Sequence, residues 1–163
     1  MKPLHSLSLV LGLAGCGAGS SSPPPLDAAA RAAIADTVRA VSEAMIVAMR
    51  TRDVDSVLAY YSPNTAYVGN GEIGDWPAIL HGAPPRYATY TKVDCRWPEP
   101  FRVDVLSRNA AVVTAVLDCE KGDTSGQAWR EVVARTEVLA HEDGRWKIVA
   151  VHESMKPGSG ELR

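Results

Sequence analysis

Apolar residues recur at helical spacing near the start of the chain, between Asp27 and Arg50. They lie three or four positions apart, at Ile34, Val38, Val41, Met45 and Ala48/Met49. This spacing places them on one face of an α-helix and leaves charged residues on the other. Asp27 is a suitable N-cap for that helix.

Two shorter helices are predicted after the first. Asp53 caps a helix whose inward residues are Val54, Val57, Leu58 and Tyr61, and Ser62-Pro63-Asn64 ends it. A short strand follows at 65–68. Asp75-Trp76-Pro77 marks a third helix start, because proline is tolerated in the first turn, and Pro84-Pro85 is expected to interrupt this helix soon afterwards.

The second half of the chain alternates between apolar and polar positions and predicts two antiparallel hairpins. One joins strands 101–106 and 111–119 around Arg108-Asn109, with Leu106 opposite Ala111. The other joins strands 129–141 and 145–154 through Asp143-Gly144, a strong two-residue turn signal.

Counting outward from the Asp143-Gly144 turn predicts the register of the second hairpin and therefore its faces. Glu142 pairs with Arg145, and an unbroken ladder places Arg135 opposite His152. One face then carries Trp129, Glu131, Val133, Arg135, Glu137, Leu139, Trp146, Ile148, Ala150, His152 and Ser154. The other carries Val132, Ala134, Thr136, Val138, Ala140, Val149 and Val151. This second, largely apolar face predicts a homodimer surface.

Composition and charge narrow the functional classes. The 163 residues are 46% apolar and 22% charged, with a formal net charge of −2, which is typical of one globular domain and argues against nucleic-acid binding. Residues 26–156 form the predicted domain, and 157–163 a flexible tail. No spacing typical of a metal site or a nucleotide cofactor is present, so neither is expected.

The N-terminus has the features of an export signal. Lys2 precedes a short apolar run that is well below the roughly 20 residues of a membrane span, and the run ends in Leu13-Ala14-Gly15-Cys16. This tetrapeptide resembles the lipobox of bacterial lipoproteins, which implies removal of 1–15 and lipidation of Cys16. A tether, 16–25, follows. By the same resemblance, Gly17 after the lipidated cysteine implies an outer-membrane lipoprotein facing the periplasm in a Gram-negative cell.

Cys95 and Cys119 are the remaining cysteines, and the sequence leaves their state open. An exported protein allows a disulfide. A regular ladder from the first hairpin places Cys95 about 10 Å from the position opposite Cys119, too far to bond. Pro98 and Pro100 make an irregular connection there plausible, so both a disulfide and two buried thiols remain open.

The final strand suggests a family. Asp143, Gly144, Trp146, Ile148, His152 and Ser154 fit the pattern D-G-x-W-x-I-x-x-x-H-x-S. This segment resembles the terminal strand of the nuclear-transport-factor-2-like superfamily, especially its SnoaL-like and ketosteroid-isomerase-like domains. Residues 53–68 also resemble that superfamily's second helix and first strand. The resemblance implies an α+β cone in which N-terminal helices pack on a curved, mostly antiparallel sheet with a pocket at its open end.

The predicted concave face supplies the candidate site residues. His152 is the candidate general acid or base, because imidazole titrates near neutral pH and carboxylates are expected beside it. The candidate ligand-binding residues are Tyr67, Trp76, Trp129, Glu131, Arg135, Glu137 and Ser154. The Asp, Tyr and protonated-acid set of a steroid isomerase does not map onto this sequence.

Three functions remain open at this point. The first is a lipid-anchored envelope protein that binds a small organic molecule. The second is an acid–base enzyme of the isomerase, dehydratase or hydrolase type that uses His152 with a carboxylate. The third is an envelope assembly or interaction protein whose pocket is vestigial.

Overall fold

The computed structural model describes residues 25–69 and 71–156. Three helices, α1 (Ala28–Thr51), α2 (Val54–Leu58) and α3 (Trp76–Thr89), accompany seven strands. The strands are β1 (Tyr61–Gly69), β2 (Glu72–Gly74), β3 (Tyr90–Arg96), β4 (Arg102–Ser107), β5 (Ala110–Asp123), β6 (Ala128–Glu142) and β7 (Arg145–Met155). The predicted α+β cone is confirmed.

An aspartate starts each helix. Asp27, Asp53 and Asp75 accept hydrogen bonds from the backbone N–H groups of Ala30, Ser56 and Ala78, which would otherwise lack partners at a helix N-terminus. These caps explain why the predicted starts agree with the structure.

The third helix does not stop at Pro84-Pro85, so that expectation was wrong. α3 continues to Thr89 with both prolines exposed. Ala83 is buried and Tyr87 packs against the core from the same face, since residues four apart share one side of a helix. Tertiary packing on this side holds the helix together despite the backbone N–H groups that proline lacks.

The sheet is mixed and strongly bent. Its order is β2-β1-β7-β6-β5-β3, with β4 also pairing with β5. β1 runs parallel to β7, and every other pairing is antiparallel. The sheet encloses α1, whose buried Val38 and Met45 pack with Leu139 and Ile148 in the main core.

Four strand assignments from the sequence need correction. β1 begins at Tyr61 and includes Pro63, where a helix stop was expected, because the pairing of β1 with β7 is irregular between Tyr61 and Ala66. Neither β2 nor β3 was predicted. The first hairpin places Val105, not Leu106, opposite Ala111, since a register shift follows Val105.

Cys95 and Cys119 form a disulfide. They are directly paired across β3 and β5, with their Cα atoms 4.0 Å apart and both residues buried. β3 and β4 are separate strands joined by a connection that contains a cis peptide bond before Pro100. Because the strand is interrupted here, β3 pairs with β5 in a different register from β4. The sequence-based count assumed one continuous strand and therefore one register.

The register of β7 differs from the sequence count beyond Ile148. Leu139 pairs with Ile148 as expected, but Val138 then pairs with Ala150, so Val149 is an extra residue in a β-bulge. Arg135 therefore lies opposite Glu153, and His152 lies opposite Thr136. Beyond the bulge, the β7 side chains that were predicted to face the concave side lie on the convex side, and the reverse.

Among the described residues, no helix combines the length and apolar character that crossing a bilayer requires.

Two charge insertions test the bulge directly. We expect Val151→Glu to lower the free energy of unfolding by about 3 kcal/mol or more, because it buries an unpaired carboxylate among core residues. His152→Glu is the matched control on the exposed side, and its cost should stay below about 1 kcal/mol. Urea unfolding measures the free energy of unfolding of both variants. A larger loss for His152→Glu than for Val151→Glu would contradict the bulge and support the unbroken register.

Candidate functional site

The concave face of the sheet carries a buried polar network centred on Arg135. On β6 the alternation is as predicted, and Val133, Arg135, Glu137 and Leu139 are all buried. On β7 the bulge brings Val151 and Glu153 to the same side. The expected cross-strand pair of Arg135 and His152 is therefore wrong, and Glu153 takes the place of His152.

Arg135 links three strands through all three of its side-chain nitrogens. Its Nε donates to Oε1 of Glu137 at 2.6 Å, and its Nη2 donates to the Tyr61 hydroxyl at 2.5 Å. Its Nη1 donates to Oε1 of Glu153. Tyr67 completes the network by donating its O–H to Oε2 of Glu153 at 2.7 Å.

The protonation of this network follows from burial and charge. Burial raises the pKa of the Tyr61 phenol to about 12, so the phenol stays protonated near neutral pH. Burial, together with the hydrogen bond to Glu153, also raises the pKa of Tyr67. Burial opposes the charge of Arg135, but Tyr61 and the two glutamates outweigh it and keep the Arg135 pKa above its ordinary value.

Two buried atoms beside this network have no hydrogen-bond partner. They are Oε2 of Glu137, an acceptor, and Nε1 of Trp76, a donor. Glu137 is fully buried and Trp76 is 6% exposed. Because buried polar atoms nearly always have partners, each unsatisfied atom needs an explanation.

Aromatic rings form a wall next to these atoms. The ring of Trp76 lies 5.0 Å from that of Tyr61 and 6.5 Å from that of Tyr67, measured between centroids. Two glycines hold Tyr67 in place: a Cβ at Gly74 would lie 2.5 Å from its Cδ1, and one at Gly69 would lie 2.7 Å from its hydroxyl. Tyr67 and Trp76, both predicted as ligand-binding residues, thus lie together with Arg135 and Glu137.

Trp129 and Glu131 belong to a second cluster on the concave face, and Glu131, its nearer member, is about 13 Å from Arg135 along β6. Glu131 accepts hydrogen bonds from Lys121 and from Nε1 of Trp129. Burial opposes the charge of Glu131, but the ammonium of Lys121 outweighs it and lowers the Glu131 pKa. The polar atoms of this cluster satisfy one another, so the sequence-predicted site separates into two parts.

His152 and Ser154 lie on the convex face instead. Both are exposed, and they line an open groove of about 480 Å³ together with Pro100, Arg102, Thr114 and Thr136. The carboxylates of Glu131 and Glu137 lie on the opposite side of the sheet. The expected grouping of His152 with these carboxylates is therefore wrong.

The convex face also holds a buried carboxylate between two arginines. Asp118 accepts two hydrogen bonds from Arg130, at 2.7 and 2.8 Å, and one from Arg96 at 2.5 Å. The hydrogen bonds from Arg130 outweigh burial and lower the Asp118 pKa to about 2. Since the unfolded carboxyl titrates near 4, the stability this cluster provides is fully present above pH 4 and is lost as the pH falls towards 2.

Sequence reasoning missed two members of the network. Tyr61 was predicted to face inwards, but on a helix, whereas it is the first residue of β1. Glu153 was placed on the wrong face because nothing in the sequence marks a bulge at Val149. The lipidation residue Cys16 lies outside the described residues. Within 25–69 and 71–156, no group of three or more His, Cys, Asp or Glu side chains is placed to hold a metal ion.

A curved mixed sheet around α1, with a polar network on its concave side, defines the nuclear-transport-factor-2-like class of α+β cones. The chain belongs to the SnoaL-like domain family, whose sequence profile matches residues 38–157. The resemblance seen in the terminal strand is thereby confirmed. No protein with a curated description matches the sequence at a significant level.

Solved structures share this fold at low sequence identity. A proposed dehydratase of the NTF2-like family from Streptomyces avermitilis is 17% identical, with a TM-score of 0.66 and coverage of 78% of this chain and 99% of that one. A type 2 hexachlorocyclohexane dehydrochlorinase is 12% identical, with a TM-score of 0.64 and coverage of 83% and 90%. The association domain of Caenorhabditis elegans CaMKII is 18% identical, with a TM-score of 0.61 and coverage of 76% and 97%. At these identities the similarity shows the fold alone.

Proposed function

We propose that this domain binds a small organic molecule on the concave face, against Arg135, Glu137, Tyr67 and Trp76. The observation that carries the proposal is the pair of buried, unpartnered polar atoms on Glu137 and Trp76. An apolar wall with a few converging polar groups is the usual composition of a small-molecule site.

A purely structural role explains these two atoms less well. A buried donor or acceptor without a partner costs about 1–3 kcal/mol, and a charged group costs more. Oε1 of the same Glu137 carboxylate bonds Arg135, so only Oε2 lacks a donor. Binding of a ligand that satisfies both atoms removes this cost and accounts for its persistence in a well-packed fold.

The acid–base enzyme remains the alternative. It draws support from the proposed dehydratase and the dehydrochlorinase that share the fold. Its residues would be those of the Arg135 network, because His152 has no carboxylate beside it. Every oxygen of Glu153 already has a donor, and the phenols of Tyr61 and Tyr67 stay protonated, so Glu137 is the only member of the network with a free proton-accepting atom.

Native mass spectrometry of the mature protein, extracted from the membranes of its own cells, tests ligand binding. We expect a native mass above that of the same protein after denaturation, which keeps any covalent lipid but loses a bound molecule. Trp76→Phe keeps a ring but removes the free N–H, and should weaken retention of the bound molecule by about 5- to 30-fold. Trp146→Phe, at the far end of β7 beside His141, is the matched control. A native mass equal to the denatured mass, or equal retention in both variants, argues for a vestigial pocket.

We also propose that the protein is a lipoprotein of the cell envelope, anchored through Cys16. Support comes from the Leu13-Ala14-Gly15-Cys16 sequence after an apolar run, and from the Cys95–Cys119 disulfide, which is typical of an oxidising compartment outside the cytoplasm. Gly17 favours the outer membrane in a Gram-negative cell. Two or more acyl chains anchor a protein far more firmly than one.

Membrane fractionation tests the anchor. Cys16→Ala should move the protein from the membrane to the soluble fraction, because the acyl chains have no other attachment point. The control is the double variant Cys95→Ala/Cys119→Ala, which removes two cysteines but keeps Cys16 and should stay in the membrane. Recovery of the wild type in the soluble fraction, or with an intact Met1, excludes lipidation.

The third proposal is a homodimer through the convex face of the sheet. Its centre carries the half-buried side chains of Val116, Val138 and Ala150, and Val151 is no longer part of it because it lies in the core. The association domain of CaMKII shares the fold, which also supports the assembly alternative.

Val138→Lys tests the dimer, because it places a charge at the centre of an apolar interface, where its desolvation is costly. We expect sedimentation velocity to show a dimer for the wild type and a monomer for this variant. Glu120→Gln, at the exposed margin of the same sheet, is the control. A wild type that sediments as a monomer at micromolar concentration contradicts the proposal.

A further inference from the structure

The Arg135 network holds more negative than positive charge. One guanidinium pairs with two carboxylates, those of Glu137 and Glu153. Among the ion pairs of the described residues, no second cation reaches either glutamate. The neighbouring pair of Lys121 and Glu131 is neutral as a unit and adds no net charge.

Oε2 of Glu137 is the position in the network where a further positive charge would fit. Its Oε1 is occupied by Arg135, whereas Oε2 is buried and has no donor. A carboxylate oxygen only accepts hydrogen bonds, and a positively charged donor stabilises it most. All three nitrogens of Arg135 are already engaged, so the network has no further cation to offer it.

The aromatic wall favours the same charge. The rings of Tyr67 and Trp76 have faces of negative potential, and indole is the strongest cation–π partner among the side chains. The ring of Tyr61 beside them already has the Arg135 guanidinium over it, 6.0 Å from the centroid. A carboxylate or phosphate ligand would meet these faces and an unpaired carboxylate together, and would be repelled by both.

Trp76 adds a second requirement. Its Nε1 is a donor without an acceptor, so the ligand must supply an oxygen or another lone pair near the ring. Glu153, whose side chain is 20% exposed, and the half-buried Tyr67 bring the network to the surface and mark the side from which a ligand enters.

We propose that the ligand of the concave face is a small cyclic or aromatic amine that carries a hydroxyl, ether or carbonyl oxygen. Its protonated nitrogen donates to Oε2 of Glu137, its oxygen accepts from Nε1 of Trp76, and its ring packs on the aromatic wall. This inference rests on the proposed binding function and specifies the class of ligand.

Three probes that differ mainly in charge test the class by calorimetry. They are 2-amino-1-phenylethanol, which is a cation at neutral pH, the neutral 1-phenyl-1,2-ethanediol, and the anion mandelate. All three share the phenyl ring and the benzylic hydroxyl. We expect the amine to bind at least about tenfold more tightly than the diol, because its hydrogen bond to Glu137 is charge-assisted, and mandelate to bind more weakly than either.

Variants assign this preference to the site. Glu137→Gln should abolish the preference for the amine over the diol, whereas Glu120→Gln, the same change on the convex face, should preserve it. If Glu137→Gln does not fold, Glu153→Gln removes a negative charge from a partly exposed position of the same network and should reduce the preference.

The outcomes separate this inference from the proposed function. Equal or tighter binding of the diol or mandelate, weakened by Trp76→Phe, overturns the amine class and leaves the binding function standing. Failure of all three probes to bind at millimolar concentration also overturns the amine class, while the bound mass in native mass spectrometry decides the binding function independently. A preference for the amine that persists in Glu137→Gln contradicts the assigned contact.

Discussion

The burial of the Arg135 guanidinium is the constraint on which the concave face depends. A charge at this depth is tolerated only when it is paired and its hydrogen bonds are satisfied. Its partners come from three strands: Glu137 from β6, Glu153 from β7 and Tyr61 from β1. The ion network therefore joins the parallel and antiparallel parts of the sheet and determines which residues of β7 face inwards. Loss of Arg135 would leave the buried carboxylate of Glu137 without a counter-charge, and an unpaired buried charge typically costs about 3–5 kcal/mol.

The two ends of the cone differ in what they bury. Near the Asp143-Gly144 turn, Leu139 and Ile148 pack with Val38 and Met45 of α1 in a dry apolar core. Farther along the same strands, the interior changes to charged and phenolic groups faced by Trp76. Because the apolar end supplies this packing, the polar end can keep Oε2 of Glu137 and Nε1 of Trp76 without partners in the protein. This division explains how unpartnered polar atoms persist in a stable domain.

The two faces of the sheet suit different partners for a physical reason. The concave face combines an excess of carboxylates with aromatic rings among buried residues, where the dielectric response is weak and electrostatic interactions are strong. The convex face carries small and β-branched residues, and its buried carboxylate, Asp118, is fully paired with Arg96 and Arg130. The first arrangement suits the proposed cationic ligand, and the second suits the proposed dimer.

Features that depend on local patterns could be predicted from the order of the residues. The stripe from Ile34 to Met45, the three aspartate caps and the Asp143-Gly144 turn depend on residues close in the chain, and they predicted the helices, the long strands and the inward face of β6. The α+β cone was implied by the family resemblance of the terminal strand. Register and pairing over longer distances were decided only by the tertiary structure. The bulge at Val149 has no local signature, because it arises where β7 must pair with β6 on one side and with β1 on the other. That single extra residue moved His152 out of the site and brought Glu153 in. The irregular connection through Pro100 likewise set Cys95 opposite Cys119. A one-residue shift reverses every side chain beyond it, so the candidate site was predictable on β6 and was settled on β7 by the packing of strands that lie far apart in the sequence.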